Sequence, residues 1–301
     1  MTAFSFVRML GHVGLNQRCA IKKIIMSLIT LICFIIIAIA ILLVLFYTAY
    51  KAKPAKNKSG LQINPAPKWH NTKSSITIGT YNIQSGKDVN GKRNIAGAAL
   101  IIKDCDIVGI QEVYARTWLG IPAQAKQLAK PNQLGWLFAA TRRRWFREHR
   151  GNALLSKVPV NNWKITMLPD QTGKQFRNLV TAMITLADIE VAVFVTHLHT
   201  KKGREEQLAA VIQAFQEHQH AVLLGDFNTR STDPQLQKLL QDPSVTDALS
   251  VTFNTHDHSD RIDWILTKNL DISKGQHEPI GISDHPFYSI KIAPPAAKSS
   301  S

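Results

Sequence analysis

Short apolar runs alternate with amphipathic ones between residues 76 and 292 of the chain. Eight of the short runs are rich in β-branched residues and apolar on at least one face, a pattern that predicts β-strands. They read SITIGTYNI, DIVGIQE, NALLS, LVTAMITL, VAVFVTH, AVLLGDF, IDWILT and FYSIKI. So many strands with helical segments between them predict an α/β layered domain.

The segments between these strands carry helical patterns. In RNIAGAALIIKD, Ile95, Ala99 and Ile102 share one helical face, and REEQLAAVIQAFQEH repeats the pattern. Asp233 followed by Pro234 is typical of an N-cap and the first helical position, which predicts a further short helix. A short ADIE turn joins two of the predicted strands as antiparallel neighbours, so the sheets are expected to be mixed.

An uncharged run of 23 residues, from Ile24 to Phe46, predicts a transmembrane helix. At about 1.5 Å per residue, this run matches the roughly 30 Å thickness of a bilayer's hydrocarbon core. A cleavable signal peptide has a shorter apolar region, about 7–15 residues, and a small-residue cleavage site that FYTAYKAK does not offer. We therefore interpret the run as a retained anchor, with a buried helix as the other alternative.

The anchor sets the predicted domain organisation. Residues 1–23 form a short basic arm, residues 47–75 a basic linker rich in proline and lysine, residues 76–292 the folded domain, and residues 293–301 a disordered tail. Basic residues flank the anchor equally on its two sides, so charge does not set the orientation. Long domains cross a membrane largely regardless of charge, so the folded domain is expected on the extracytoplasmic side.

The charge of the chain is strongly positive, with a formal net value of +15. Eight of the 36 lysines and arginines lie in residues 1–60, which contain no acidic residue. The folded domain is also basic, which favours an anionic partner. Cys105 is the only cysteine of residues 76–292, which excludes an internal disulfide framework and a cysteine-rich metal site there.

Polar side chains collect where the predicted strands stop. A single such residue is ordinarily a cap or a solvated turn, but their recurrence at six strand ends favours one shared site. Because side chains alternate along a strand, Asp226 and Asn228 should face one way and Phe227 the other. Oxygen ligands of this kind suit Mg²⁺ or Mn²⁺. The strand-end residues are Asn82, Glu112, His197, Asp226, Asn228, Asp263, Asp284 and His285.

The motifs TYNIQSG, GIQEV, VTHL, LLGDFN, RIDWIL and SDHPFY follow one another in this order. Through this series, and most specifically through GDFN and SDH, the sequence resembles the endonuclease/exonuclease/phosphatase superfamily. That superfamily groups DNase I-like nucleases, abasic-site endonucleases, neutral sphingomyelinases and inositol polyphosphate phosphatases. The resemblance implies a four-layer α/β sandwich, in which two mixed or antiparallel sheets are flanked by helices. It also implies a divalent-metal-dependent hydrolase of phosphoric esters.

The resemblance further implies which residues bind the metal and the phosphate. Glu112 matches the main ligand of Mg²⁺ or Mn²⁺, and Asn82 and Asp284 complete the set of oxygen ligands. Arg177, in FRNLVTAMI, matches an arginine that contacts the substrate phosphate.

Five residues match the catalytic positions of the superfamily. Asp226 and Asn228 would lie against the scissile phosphate, where a proton acceptor and a hydrogen-bond donor are needed. His285, oriented by Asp263, would be the general base or an electrostatic partner. His197 matches the histidine that protonates the leaving oxygen.

The substrate class is predicted less directly. The segment TRRRWFREHRGN interleaves arginines with Trp145 and Phe146, a pattern that fits a solvated loop, a nucleic-acid contact or a membrane surface. Insertions typical of phosphoinositide phosphatases are absent from the sequence. With His197 present as well, the motifs resemble those of nucleases and of sphingomyelinase-like enzymes. A nuclease is favoured over a phospholipid or sphingomyelin-type phosphodiesterase, and no obligate protein partner is inferred. A non-catalytic binding module of the same fold is disfavoured, because every residue that the chemistry needs is present.

Histidines in THLHT and HDHSD raise a rival hypothesis, a transition-metal cluster of His197, His199, His256 and His258. Metallo-hydrolase patterns place an Asp-His pair soon after such a first motif. Two lysines stand there instead, at positions 201 and 202, which disfavours this site.

Overall fold

A computed structural model of the chain describes seven stretches of it. Five residues considered individually in the sequence lie outside these stretches, namely Trp145, Phe146, Lys202, His256 and His258. The described residues are 15–63, 73–115, 123–144, 147–169, 176–201, 203–253 and 260–296.

The chain divides after Lys51 into two compact units, and the first of them contains a single described helix. This helix, α1 (Leu15–Tyr50), includes the predicted apolar run. Its most apolar 18-residue window, within Gln17–Thr48, has a mean hydropathy of 3.5, and it is the one helix among the described residues that is long and apolar enough to cross a membrane. Large apolar side chains along it, such as Phe34 and Leu42, are exposed.

The second unit, residues 52–301, is an α/β domain built on two sheets. Its strands are β1 (Lys53–Pro54), β2 (Lys58–Gly60), β3 (Ile76–Asn82), β4 (Ile107–Tyr114), β5 (Gly135–Arg144), β6 (Arg147–Ser156), β7 (Val160–Met167), β8 (Asn178–Leu186), β9 (Ile189–His197), β10 (Ala221–Asp226), β11 (Val245–Asp247), β12 (Asp263–Lys268), β13 (Asp271–Glu278) and β14 (Phe287–Ala293). Its described helices are α2 (Ile95–Ile101), α3 (Gln124–Ala129), α4 (Arg204–Gln216), α5 (Pro234–Leu239) and α6 (Ala248–Phe253).

Each sheet has seven strands and mixed pairing. The first sheet runs β1-β5-β6-β4-β3-β14-β13, and the second runs β11-β12-β10-β9-β8-β7-β2. The pairs β3–β4 and β9–β10 are parallel, whereas the other pairs are antiparallel. The expected antiparallel pairing of β8 with β9 is confirmed.

Alternation along the strands explains the layering. In β9, Val193 and Val195 pack in the core between the two sheets, whereas Phe194 packs on the opposite side. There Phe194 joins Phe215 of α4, and on the outer face of the first sheet the helices α2 and α3 cover a third core. The order helix, sheet, sheet, helix confirms the predicted four-layer α/β sandwich.

Two segments differ from the expectations of the sequence. Within the expected linker, residues 53–54 form β1 and residues 58–60 form β2, which pair with β5 and β7 at the sheet edges. Edge strands pair on one side only, so they tolerate the lysines and proline that made this segment resemble a linker. The arginine-rich segment, for which a solvated loop is one of three interpretations, contributes its described residues 141–144 and 147–152 to the antiparallel strands β5 and β6. Long arginine stems can pack along a sheet while their charged heads remain in water.

Candidate active site

The strand ends that carry the predicted polar residues meet at one edge of the sandwich. Asp226, the last residue of β10, lies directly opposite His197 of β9 on one side and Asp263 of β12 on the other. In the first sheet, β3 ends at Asn82, and the antiparallel pairing of β14 with β3 brings the preceding His285 to the same edge. Two sheets thus contribute to one site.

The carboxylate of Asp226 is the centre of this site. Its Oδ2 accepts a hydrogen bond from Asn82 Nδ2 at 3.0 Å, which joins the two sheets. The same oxygen lies 3.3 Å from His197 Nε2 and 3.7 Å from His285 Nε2. Asp226 is 1% exposed, so these groups surround a buried carboxylate.

A second carboxylate orients His285. The Nδ1 atom of His285 lies 2.7 Å from Asp263 Oδ2, which leaves the Nε2 atom of His285 to face Asp226. Burial lowers the pKa of His285, but the hydrogen bond to Asp263 and the charges of Asp263, Asp226 and Asp284 outweigh burial and raise it to about 9. The ring is therefore a cation at neutral pH, held between two carboxylates.

Burial dominates the ionisation of the other two groups. It raises the pKa of Asp226 to about 7, and the neighbouring charge of Asp263 adds to the effect. Burial lowers the pKa of His197 well below its usual value, and the charge of Arg177 lowers it further. His197 is consequently neutral near pH 7, in contrast to His285.

The backbone at the end of β10 and just after it has a local requirement for glycine and asparagine. Gly225 has φ +146°, and a Cβ there would lie 2.0 Å from the carbonyl oxygen of Thr196. Asn228 has φ +48°, a region that asparagine tolerates better than most residues. Its amide Nδ2 donates to Leu198 O at 3.0 Å, and its N–H donates to Asp226 Oδ1 at 2.9 Å.

Phe227 lies on the side of the chain that the alternation predicts. Its fully buried ring stacks on Trp264, with the ring centroids 6.2 Å apart, in the core beneath α4 and α5. The burial of Phe227 on one side of the chain therefore fixes the positions of the polar residues Asp226 and Asn228 on the other side.

A β-bulge presents Glu112 at the same edge. The register of β4 against β6 shifts between Ile110 and Val113, and Glu112 has φ +59°. Bulges and positive φ values of this kind re-aim side chains, and they concentrate at functional sites. The Glu112 carboxylate forms an ion pair with Arg150 of β6, at Oε2 and Nη2.

Further arginines lie near Glu112. The charges of Glu112 and Asp226 raise the pKa of Arg177, and those of Arg150 and Arg142 lower it. Burial outweighs these charges and lowers the Arg177 pKa to about 10. The part of the site near Glu112 consequently carries more positive than negative charge.

The predicted site residues fall into two groups in the structure. Direct contacts join five of them around Asp226, and the potential metal-ligating atoms of Asp226, Asp263 and His285 lie within 4.8 Å of one another. Glu112 contacts Arg150 instead. Asp284 accepts from the hydroxyl of Ser283 at 3.3 Å, and the same hydroxyl donates to Asn82 O at 2.7 Å.

Two elements of this site were missed in the sequence. Arg150, the partner of Glu112, stands in an arginine-rich segment in which no short-range signal distinguishes it from its neighbours. Ser283 is part of the SDH motif, and its position there is the signal that could have identified it.

A family comparison decides the identity of this arrangement. The sequence model of the Endonuclease/Exonuclease/phosphatase family matches residues 79–285, which include all the residues of the candidate site. This chain belongs to that family. The Endonuclease/Exonuclease/phosphatase superfamily comprises, in general, hydrolases that cleave phosphoric esters. No curated protein sequence matches the chain.

Solved structures with the Endonuclease/Exonuclease/phosphatase fold resemble the chain at low identity. A family protein from Beutenbergia cavernae is 20% identical with a TM-score of 0.60, and 75% of this chain and 73% of that chain are covered. One from Bacteroides vulgatus is 17% identical with a TM-score of 0.58, covering 73% and 99%. TDP2 of D. rerio, complexed with a single-strand DNA product, is 17% identical with a TM-score of 0.56, covering 73% and 99%. At these identities the likeness establishes the fold.

Proposed function

We propose that this protein is a divalent-metal-dependent phosphodiesterase and that its substrate is a nucleic acid. The observation that carries the proposal is the arrangement around Asp226 Oδ2, which lies within 3.7 Å of Asn82 Nδ2, His197 Nε2 and His285 Nε2. A buried carboxylate with two imidazoles and an amide around one oxygen suits proton transfer beside a phosphoryl group.

The two histidines would act differently, because their charges differ. His285, a cation beside Asp263, would stabilise negative charge on the phosphate, and Asp226 would accept the proton of the attacking water. This assignment selects electrostatic support over general-base catalysis for His285. His197, which is neutral, would donate a hydrogen bond towards the leaving oxygen. Asn228, fixed through its contacts with Leu198 and Asp226, would hold a phosphoryl oxygen.

The donor atoms present fit Mg²⁺ or Mn²⁺. The site contains carboxylate and amide oxygens, the ligands that these ions prefer, and the buried Asp263 Oδ1 has no hydrogen-bond partner among the described residues. We propose Glu112 as the main ligand, with Asn82 and Asp284 completing the set. A bound metal would neutralise charge that develops on the phosphoryl group.

Positive charge near Glu112 supports a nucleic-acid substrate. The charges of Arg142 and Arg150 act on Arg177, as does that of Glu112, so positive charge gathers where a polyanionic backbone would be attracted. The D. rerio TDP2 structure, which has the same fold, contains a single-strand DNA product.

A phospholipid head group is a second candidate substrate, and one observation favours it. Helix α1 is long and apolar enough to cross a membrane. We propose that α1 anchors the protein in a membrane, with the catalytic domain on the extracytoplasmic side. Such an anchor would hold the chain at a lipid surface. A carboxyl-terminal alkaline phosphatase fusion should then be active, and an inactive fusion would contradict this topology.

The deciding experiment compares substrates for the full chain in detergent. Plasmid DNA, RNA, and vesicles of sphingomyelin or phosphatidylglycerol are incubated with Mg²⁺ or Mn²⁺, with and without EDTA. We expect cleavage of nucleic acid that EDTA abolishes. The Asp226→Ala variant, purified identically, controls for contaminating nucleases. Turnover that persists in EDTA, or equal turnover by the variant, would refute the proposal, and cleavage of lipid alone would reverse the order of the two substrates.

A further inference from the structure

A second concave region adjoins the candidate active site. It has a volume of about 420 Å³, and it shares two of its walls, Glu112 and Arg150, with the site described above. We call it the Lys87–Arg93 pocket. Its main lining residues are Gln84, Lys87, Arg93, Glu112, Tyr114 and Arg150.

The charges of this pocket are unbalanced. Three cationic side chains line it, those of Lys87, Arg93 and Arg150, against the single carboxylate of Glu112. Arg150 already pairs with Glu112. No carboxylate of the described residues lies within ion-pair distance of Lys87 or Arg93.

The loop between β3 and α2 holds the two unpaired cations together. Lys87 and Arg93 face each other in an isolated antiparallel bridge. The turn between them is closed by Asp88, whose Oδ1 accepts hydrogen bonds from the N–H groups of Asn90 and Lys92, each at 2.9 Å. Asp88, the acidic residue nearest to Lys87 and Arg93 in the sequence, therefore uses Oδ1 to close the turn.

The floor of the pocket is tied to the end of β4. Gln124 donates through Nε2 to Ser85 O at 2.6 Å, and its Oε1 accepts from Tyr114 N at 2.8 Å. Tyr114 also lies beneath the guanidinium of Arg150, which is 5.5 Å from the centre of its ring. These contacts fix the wall that the pocket shares with the active site.

Gln84 lines the pocket, and its buried Oε1 atom has no hydrogen-bond partner among the described residues. Cations and an amide around a pre-formed pocket are the groups that recognise a phosphate and its hydroxyl-bearing substituent.

We propose that the Lys87–Arg93 pocket binds a second phosphate group of the substrate, next to the phosphate that is cleaved. The inference rests on the proposed phosphodiesterase function, and it specifies which phosphodiesters the enzyme prefers. Such a phosphate can be a terminal phosphate of a nucleotide chain or a second phosphate on a lipid head group. The chemistry is shared, and the experiment distinguishes the two sources.

The test measures preference within matched pairs of substrates. The dinucleotide TpT is compared with its 5′- and 3′-phosphorylated forms, and phosphatidylglycerol vesicles are compared with phosphatidylglycerophosphate vesicles. For the full chain, kcat/KM should be about 10-fold or more higher for the doubly phosphorylated member of at least one pair. The pair that shows the preference identifies the source of the phosphate.

Two double variants each remove two positive charges, one from the pocket lining and the other from outside it. Lys87→Gln with Arg93→Gln should reduce the preference to about one. Lys92→Gln with Lys103→Gln, which changes two exposed lysines outside the pocket lining, should retain it. The absence of any preference in the unmodified chain, retention of the preference by the first variant, or equal losses in both would overturn the proposal.

A binding measurement separates this inference from the proposed function. If the full chain cleaves no phosphodiester, the proposed function fails and the pocket is judged by calorimetry with inorganic pyrophosphate in EDTA. The Lys87→Gln/Arg93→Gln variant should then bind pyrophosphate at least 10-fold more weakly than the unmodified chain and the Lys92→Gln/Lys103→Gln variant. Equal affinities across the three proteins would overturn the proposed phosphate site.

Discussion

Replacing Asp226 with asparagine should stabilise the metal-free protein at alkaline pH. Burial raises the pKa of this carboxyl from 3.8 to about 7, so the folded chain binds its proton more tightly than the unfolded chain. The stability that this group contributes is therefore present below pH 4 and lost as the pH rises through 7. Above that pH, the folded protein holds a poorly solvated carboxylate, which Asp226→Asn removes.

The magnitude follows from the pKa difference and from the contacts of Asp226. A difference of about 3 pKa units corresponds to about 4 kcal/mol, at about 1.4 kcal/mol per unit, which is an upper limit. The asparagine oxygen can still accept from the N–H of Asn228, but its amide nitrogen would face Asn82 Nδ2, a mismatch that costs about 1–3 kcal/mol. A net stabilisation of about 1–3 kcal/mol at pH 8 is expected.

Thermal unfolding of the full chain in detergent and EDTA measures this effect. In a domain of this size, about 1 kcal/mol changes the Tm by about 2–4 °C, so Asp226→Asn should raise the Tm by about 2–12 °C at pH 8. At pH 4.5, where the carboxyl is protonated in the folded chain, no gain is expected. Asp104→Asn, at an exposed position, is the matched control. The same change in Tm at both pH values would refute the reasoning.

Four further outcomes are expected. Glu112→Ala should weaken metal binding, measured by calorimetry, and its activity should partly recover at high Mn²⁺. His285→Ala should lower kcat by about 10²–10⁴-fold while metal binding persists, and equal metal rescue of both variants would contradict their separate roles. In the pH profile of kcat/KM, activity should rise as Asp226 loses its proton and fall as His285 loses its proton near pH 9. Asp263→Asn should move the alkaline limb of this profile to lower pH, because Asp263 raises the pKa of His285. An unmoved alkaline limb would contradict the pairing of Asp263 with His285. Phe227→Ala should cost about 3–5 kcal/mol in urea unfolding, because it empties a buried position, and a cost below 1 kcal/mol would contradict this packing.

Local sequence determined the main strands and the polar residues at their ends. In β9 and β10, alternation of buried residues fixes which side chains enter each core, and this period is visible in a single chain segment. The prediction that Phe227 points away from Asp226 is confirmed for that reason. The layered fold followed from the same patterns together with the ordered motifs.

Pairing with distant strands decided what local sequence could not. The lysine-rich residues of β1 and β2 are strands because β5 and β7 offer them hydrogen-bonding edges, and an isolated segment of this composition predicts a linker. The position of Glu112 depends on a bulge between β4 and β6. Its partner Arg150 lies in β6, a strand that is distant from Glu112 in the sequence. Register across strands is a property of the assembled sheet.

The electrostatics of the site likewise belong to the tertiary structure. The sequence shows an aspartate and two histidines, but not that His197 is buried and neutral while His285 lies between two carboxylates and is charged. Nor does it show that Lys87 and Arg93 line a pocket beside Glu112. Ionisation depends on the solvent excluded by neighbouring elements and on the distances between charges, and both are set when the two sheets pack together.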